Sequence, residues 1–217
     1  MAYLMIHLNI ANKILERCPG IYDRNAFLIG SVAPDAIGFQ PGKRFAKAPA
    51  HFCIGNESWG YYTNYDEWLD NLIFNTEKLS DAVNKSFLFG YMSHIIADIE
   101  NSKRFYTPIR LTDDKDYMQT WFNDCYEIDS ILLDKIEDID EFWGSLDNYN
   151  NYSMPGLVEA DDIAYMIEKM KSEVYYSDRK PSLEYLTSIF TVQTVLNYID
   201  DIADKTINII EELKIKC

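Results

Sequence analysis

The sequence predicts an all-α fold. Apolar residues recur at helical spacing through nearly the whole chain, proline and glycine interrupt that pattern at intervals, and no segment has the strict alternation of a half-buried strand. Residues 2–17 carry Leu4, Ile6, Ile10, Ala11, Ile14 and Leu15 at helical spacing, and Cys18-Pro19-Gly20 stops that helix. A short helix is expected over Arg24–Val32, ending at Pro34, because the residue before proline is pushed out of the helical region. From Ala33 to Tyr65 the composition turns to Gly, Pro, Lys and Asn and reads as one long loop. Loops of that length in compact domains are often functional. Helical periodicity returns at 66–78, 81–103 and 114–137, with a short helix at 138–146 and the connector SLDNYNNYSMPG after it. Two final helices are expected over 159–174 and 182–214, the last opened by Ser182 behind Pro181.

The bulk numbers suit a single multi-helix bundle spanning residues 1–217. An apolar fraction of 47% and an aromatic fraction of 14% are enough to fill a globular core. No apolar run approaches the roughly 18 residues of a membrane-spanning helix. The segment MAYLMIHLNIANKILERC lacks a basic leader region, and His7 and Asn9 break its apolar stretch, so it reads as an amphipathic helix rather than a signal peptide. Four scattered cysteines with no CxxC pair point to a reducing, cytoplasmic setting. A formal charge of −15 argues against nucleic-acid polymers and anionic bilayers as partners. It leaves room for a local cationic patch or a buried metal centre.

The chemistry-bearing residues are few. The chain has three histidines: His7 in the first apolar helix, His51 in APAHFCIGNESW, and His94 in GYMSHIIADIE. His94 and Asp98 are four apart, so they project from one side of one helix and can reach a single metal ion. Burying the carboxylate alone would cost several kcal/mol, and a metal would compensate it. An isolated H-x-x-x-D pair on a helix is more often two side chains hydrogen-bonded to each other than a metal site. Asp35 closes FLIGSVAPD, where Pro34 fixes the backbone beside it; alone, it could simply cap a turn.

In order and spacing, HLNIANKIL, FLIGSVAPD, the isolated His51 and GYMSHIIADIE resemble the zinc-dependent phospholipase C and single-strand nuclease superfamily, in particular its short, leaderless bacterial members. The resemblance spans residues 1–105. It implies a multi-helix bundle in which Asp35, His51, His94 and Asp98 hold one zinc and Asp98 bridges to a second that also takes His7. Family members add their mature N-terminal amine and carbonyl to that second ion. Here Ala2 follows Met1, which permits methionine removal and would start the chain five residues before His7.

The sequence also departs from the family pattern. Where a third zinc needs a histidine, this chain has Arg104, and no histidine remains for the later helix. Cys125 and Asp129, four apart and flanked by Asp124 and Glu127, are candidate substitutes; the alternative is a solvated acidic helix face. Arg104 is a second candidate, as a fixed cation gripping a phosphate oxygen. Lys43, Arg44 and Lys47 are further phosphate candidates or else a solvated loop. Trp59, Tyr61, Tyr62 and Trp68 could line an apolar wall or simply pack.

The implied activity is phosphoric ester hydrolysis. Two zinc ions lower the pKa of a bound water toward about 7, supply the hydroxide and stabilise charge on the phosphoryl group. Asp35 and Asp98 are the carboxylates at that chemistry, Asp35 as ligand with some base character. A small phosphoester or a zwitterionic phospholipid headgroup fits the charge better than a polymer. The alternative function is a helical metal-binding module without turnover.

Overall fold

Two glycines set the central contact of the structure. The computed structural model describes residues 4–21, 23–54, 60–147, 149–174 and 189–213. Helix α1 (Leu4–Arg17) is followed by α2 (Arg24–Gly30), capped by the Asp23 carboxylate on the Ala26 N–H at 2.9 Å. Next come α3 (Ala33–Phe39), a 3₁₀ turn at Arg44–Ala46, and α4 (Lys47–Ala50). Helix α5 covers Tyr65–Leu79, α6 Lys85–Asn101 and α7 Thr107–Leu111. The remainder comprises α8 (Lys115–Asp134), α9 (Ile139–Gly144), α10 (Ala160–Lys169) and α11 (Val192–Glu212). Among the described residues there is no strand, only an isolated bridge between Met154 and Val158.

Helix α6 is the centre of the bundle. Every residue from Ser86 to Asn101 is buried, and α1, α2, α3, α5 and α11 all pack on it. That explains why its sequence is apolar on all sides rather than along one stripe. Helix α2 crosses it closely. A Cβ on Gly30 would lie 2.1 Å from the Phe87 carbonyl oxygen, and one on Gly90 would lie 2.0 Å from that of Phe27. Each helix thus presents a glycine to the other's backbone, and nothing larger fits at this separation.

The long loop expected over 33–65 is replaced in part by α3 and α4. Pro34 does not terminate a helix but begins one, at the first turn, where its missing N–H removes no helical bond. Helix α6 continues past Asn101 through a π-helical turn, Ser102–Tyr106, into α7. Here the Thr107 N–H bonds back five residues to Ser102, and Pro108 lacks the N–H that would have bonded to Arg104. The last helix begins by Val192, capped by Thr191 on the Thr194 N–H at 3.1 Å. The start expected at Ser182 lies outside the described residues.

Replacing Gly90 with alanine should destabilise the protein. The gain of about 1 kcal/mol in helix propensity is outweighed by the roughly 1–3 kcal/mol or more of forcing two backbones apart. A fall in Tm of several degrees by circular dichroism is the expected result; an unchanged or raised Tm would show that α2 is not held against α6 as described.

Candidate metal centre

Five side chains from four parts of the bundle meet beside the α2–α6 crossing. His94 and Asp98 come from successive turns of α6, Asp35 from the first turn of α3, His7 from α1, and His51 from the turn after α4. His7, His51, His94 and Asp98 are buried, and Asp35 is nearly so. The donor atoms of Asp35, His51, His94 and Asp98 all lie within 4.8 Å of one another. Among the described residues, this is the one group of three or more His, Cys, Asp or Glu donors that converges in this way.

The hydrogen bonds of the two imidazoles decide what they can do. His94 Nδ1 lies 2.8 Å from the Ser31 carbonyl, and His51 Nδ1 lies 2.8 Å from the Lys47 carbonyl. A carbonyl oxygen only accepts, so each Nδ1 carries a proton, and in the neutral ring Nε2 presents a lone pair. These two Nε2 atoms face each other at 3.3 Å. His51 Nε2 is 3.3 Å from Asp35 Oδ1 and 3.5 Å from Asp98 Oδ2; His94 Nε2 is 3.8 Å from both oxygens. Four acceptors therefore point at one another in a buried space, and a cation between them resolves the conflict. Four ligands placed tetrahedrally about 2.0–2.1 Å from a zinc ion lie roughly 3.3–3.4 Å apart. The observed separations are close to that.

Asp98 faces two ways. Its Oδ2 belongs to the group above, whereas Oδ1 lies 3.6 Å from His7 Nε2. The His7 ring stacks on His94 with centroids 3.7 Å apart and planes within 9°. Both His7 nitrogens are buried without a hydrogen-bond partner, an expensive arrangement for two polar atoms unless a ligand engages one of them. The N-terminal residues expected to join His7, Met1 and Ala2, lie outside the described residues.

Burial dominates the electrostatics. It pushes His94 down to about 3, with His7 adding to the effect and the two carboxylates opposing it. His7 is lowered for the same reason. For Asp35, burial acts upward but is overcome by the Lys47 ammonium and the neighbouring imidazoles, which leave it well below the usual carboxylate range. Asp98 is likewise lowered, burial being outweighed by His94 first. Neutral imidazoles and ionised carboxylates are the protonation states a metal requires.

The turn bearing His51 is held at three consecutive carbonyls. Tyr91 OH donates to Ala50, Trp68 Nε1 to His51 at 2.6 Å, and Asn71 Nδ2 to Phe52 at 2.7 Å. Phe52 adopts a φ of 54°, the left-handed region that a bulky residue enters only when its surroundings impose it. In the sequence Trp68 reads only as a wall or packing residue, and Tyr91 and Asn71 give no functional signal at all. A side-chain bond to a distant carbonyl leaves no local pattern.

The other candidates are engaged elsewhere. Arg104 donates Nε to Glu100 and a terminal nitrogen to Asp201, each at 2.9 Å, so its guanidinium is paired with carboxylates rather than held out for a phosphate. Asp129 accepts the Met5 N–H at 2.6 Å and so caps the start of α1. Asp124 accepts the N–H groups of Ile189 and Phe190 at 2.7 and 3.0 Å. Burial raises the Cys125 thiol, disfavouring the thiolate that a metal would need. Lys43 pairs with Asp162 at 2.8 Å and Lys47 with Asp35 at 2.7 Å. Tyr62 and Trp68 are buried edge to face, Tyr61 is exposed against Arg110, and Trp59 lies outside the described residues.

A family model described as zinc dependent phospholipase C matches residues 6–99. Over that segment the chain is similar to the zinc-dependent phospholipase C family. The matched segment contains all five converging side chains and ends directly after Asp98; Arg104, Cys125 and Asp129 fall outside it. No curated protein and no solved structure matches the chain. The superfamily's metal agrees with the donor set here, since imidazole nitrogen and carboxylate oxygen are zinc ligands.

The buried imidazoles make the metal-free protein acid-sensitive. Above the ordinary histidine value of 6.5, His94 is neutral in both folded and unfolded chains. Between 6.5 and about 3 only the unfolded chain takes the proton, so stability falls with pH, and His7 acts in the same direction. The lowered carboxylates add a further loss below their ordinary value of 3.8. Chelator-treated protein should lose on the order of a few kcal/mol between about pH 7.5 and about pH 4. Thermal melts across that range check it; a flat profile would mean that the histidines are not buried as neutral rings.

Proposed function

We propose that this protein is a zinc-dependent phosphoesterase that hydrolyses a phosphodiester or phospholipid-headgroup bond, using two zinc ions. The observation that carries the reading is the convergence of four acceptor atoms on one buried point, with the second oxygen of Asp98 turned toward His7. Asp35, His51, His94 and Asp98 would hold one ion. His7 and Asp98 would contribute to the second, with Asp98 as the bridge. When bound, such ions supply a water activated near neutral pH and a Lewis acid for the phosphoryl oxygen.

The protein's own part is positioning. The Ser31 and Lys47 carbonyls hold His94 and His51 in the tautomer that exposes Nε2. Tyr91, Trp68 and Asn71 fix the turn that carries His51, and the buried surroundings shield the site from water. Asp35, at the more open edge, is the carboxylate placed to orient an attacking water as well as to bind metal. Among the described residues no helix is long and apolar enough to cross a membrane. With Cys18, Cys53 and Cys125 present as thiols, the reading includes a cytoplasmic location and a small phosphoester or headgroup substrate.

A second reading is a metal-binding module without turnover. It is favoured by the engagement of Arg104, Asp124 and Asp129 in structural bonds, since these are the residues that would complete a third cationic position.

Elemental analysis of protein purified without a metal-binding tag should give two zinc ions per chain, falling in both His94→Ala and Asp98→Ala. Zinc-dependent turnover of a generic phosphodiester should fall at least a hundredfold in the same variants. Absence of metal from the wild type would sink the reading. Full zinc content without turnover of any phosphoester would select the module instead.

A further inference from the structure

The centre needs a cation to meet the substrate's anionic oxygens, and among the described residues the lysine at its edge is Lys47. Arg104, the candidate suggested by sequence, is paired with Glu100 and Asp201. Lys43 is paired with the buried Asp162 on α10. Lys47 differs from both because its partner is itself a member of the donor cluster. Its ammonium lies 2.7 Å from Asp35 Oδ1, the oxygen that also faces His51 Nε2 at 3.3 Å and His94 Nε2 at 3.8 Å.

Helical spacing makes this placement definite. Lys47 and His51 are one turn apart at the α4 end, and the Lys47 carbonyl receives the His51 Nδ1–H. Asp35 and Gly38 are one turn apart on α3, and the Lys47 stem runs past Gly38, where a Cβ added to the glycine would sit 3.5 Å from the lysine Cδ. The side chain is 13% exposed, so the charge is shielded from bulk water yet reachable from it. Residues 36–56 contain Lys43, Arg44 and Lys47 and no Asp or Glu, in a chain with 35 acidic residues. Along the chain this stretch is locally cationic, which favours the approach of an anion.

We propose that Lys47 is the anion-contacting residue of the site, donating to a non-bridging oxygen of a phosphate group bound at the metal centre. The inference rests on the zinc phosphoesterase reading and adds to it the residue that recognises the phosphate. A lysine suits this task as a compact point charge. In this role it stands where the sequence suggested Arg104, and it supplies fixed positive charge without a third metal.

The test is calorimetric titration of inorganic phosphate into zinc-loaded protein, with zinc content measured on the same samples, for wild type, Lys47→Gln, Lys47→Arg and Lys43→Gln. Lys47→Gln should keep wild-type zinc content and bind phosphate about 10–100-fold more weakly, a loss of roughly 1.4–2.8 kcal/mol. Lys47→Arg should stay within a few-fold of wild type, and Lys43→Gln should be unchanged. Unaltered phosphate affinity in Lys47→Gln overturns the proposal. So does loss of zinc in that variant, which would make Lys47 a positioning residue for Asp35. An equal loss in Lys43→Gln would assign the effect to the charge of the whole loop and also overturns it. Should Lys47→Gln fail to fold, Lys47→Met, which keeps most of the stem, takes its place with the same expected loss. Wild-type protein that takes up zinc but binds no phosphate rejects the anion site alone, whereas wild type that takes up no zinc rejects the metal centre itself.

Discussion

Four hydrogen-bond acceptors buried against one another are the constraint on which the rest of this structure depends. Two imidazole nitrogens and two carboxylate oxygens within 4.8 Å repel unless positive charge lies among them. The fold nevertheless holds them together from several directions. Ser31 and Lys47 place backbone carbonyls on the far sides of the rings, and three side chains from α5 and α6 hold the turn after α4 in place. Such support fixes the orientation of the rings and carboxylates that face one another.

The glycine crossing is the mechanical counterpart of that electrostatic constraint. Gly30 and Gly90 let α2 and α6 approach until the backbone of one touches the other. The Ser31 carbonyl, one residue past Gly30, then reaches His94, one turn past Gly90. A wider spacing would strand the Nδ1 proton and free the ring to rotate. Beyond Ser31 the chain turns at once into α3, whose first turn delivers Asp35 from the other side. A packing feature with no chemistry of its own therefore sets the geometry of the donors.

Charge away from the centre has structural work of its own. Two acidic residues of α8 serve as acceptors for backbone N–H groups: Asp129 at the start of α1, Asp124 at the approach to α11. Glu100 and Asp201 hold Arg104, and Lys205 also reaches Glu100. Much of what looks in sequence like a possible third metal position is thereby absorbed into holding helices together, which leaves Lys47 and Asp35 as the ion pair at the centre itself.

The sequence by itself determined the helical class, most helix boundaries to within a few residues, and the candidate donors His7, Asp35, His51, His94 and Asp98. The helices are local properties, legible in periodicity and caps; the donor set is legible only through the resemblance that HLNIANKIL, FLIGSVAPD, His51 and GYMSHIIADIE carry in that order. Pro34 is misread from sequence, because proline marks the end of one helix and the first turn of another by the same steric rule, and only the packing of α3 shows which applies. Nor does the sequence reveal that Gly30 meets Gly90's helix, that Trp68 and Tyr91 serve the His51 turn, or that Arg104 is held by two carboxylates. Those facts are mostly contacts between residues far apart in the chain. No spacing encodes them; they exist only once the helices have packed and each polar group has found the partner that burial obliges it to have.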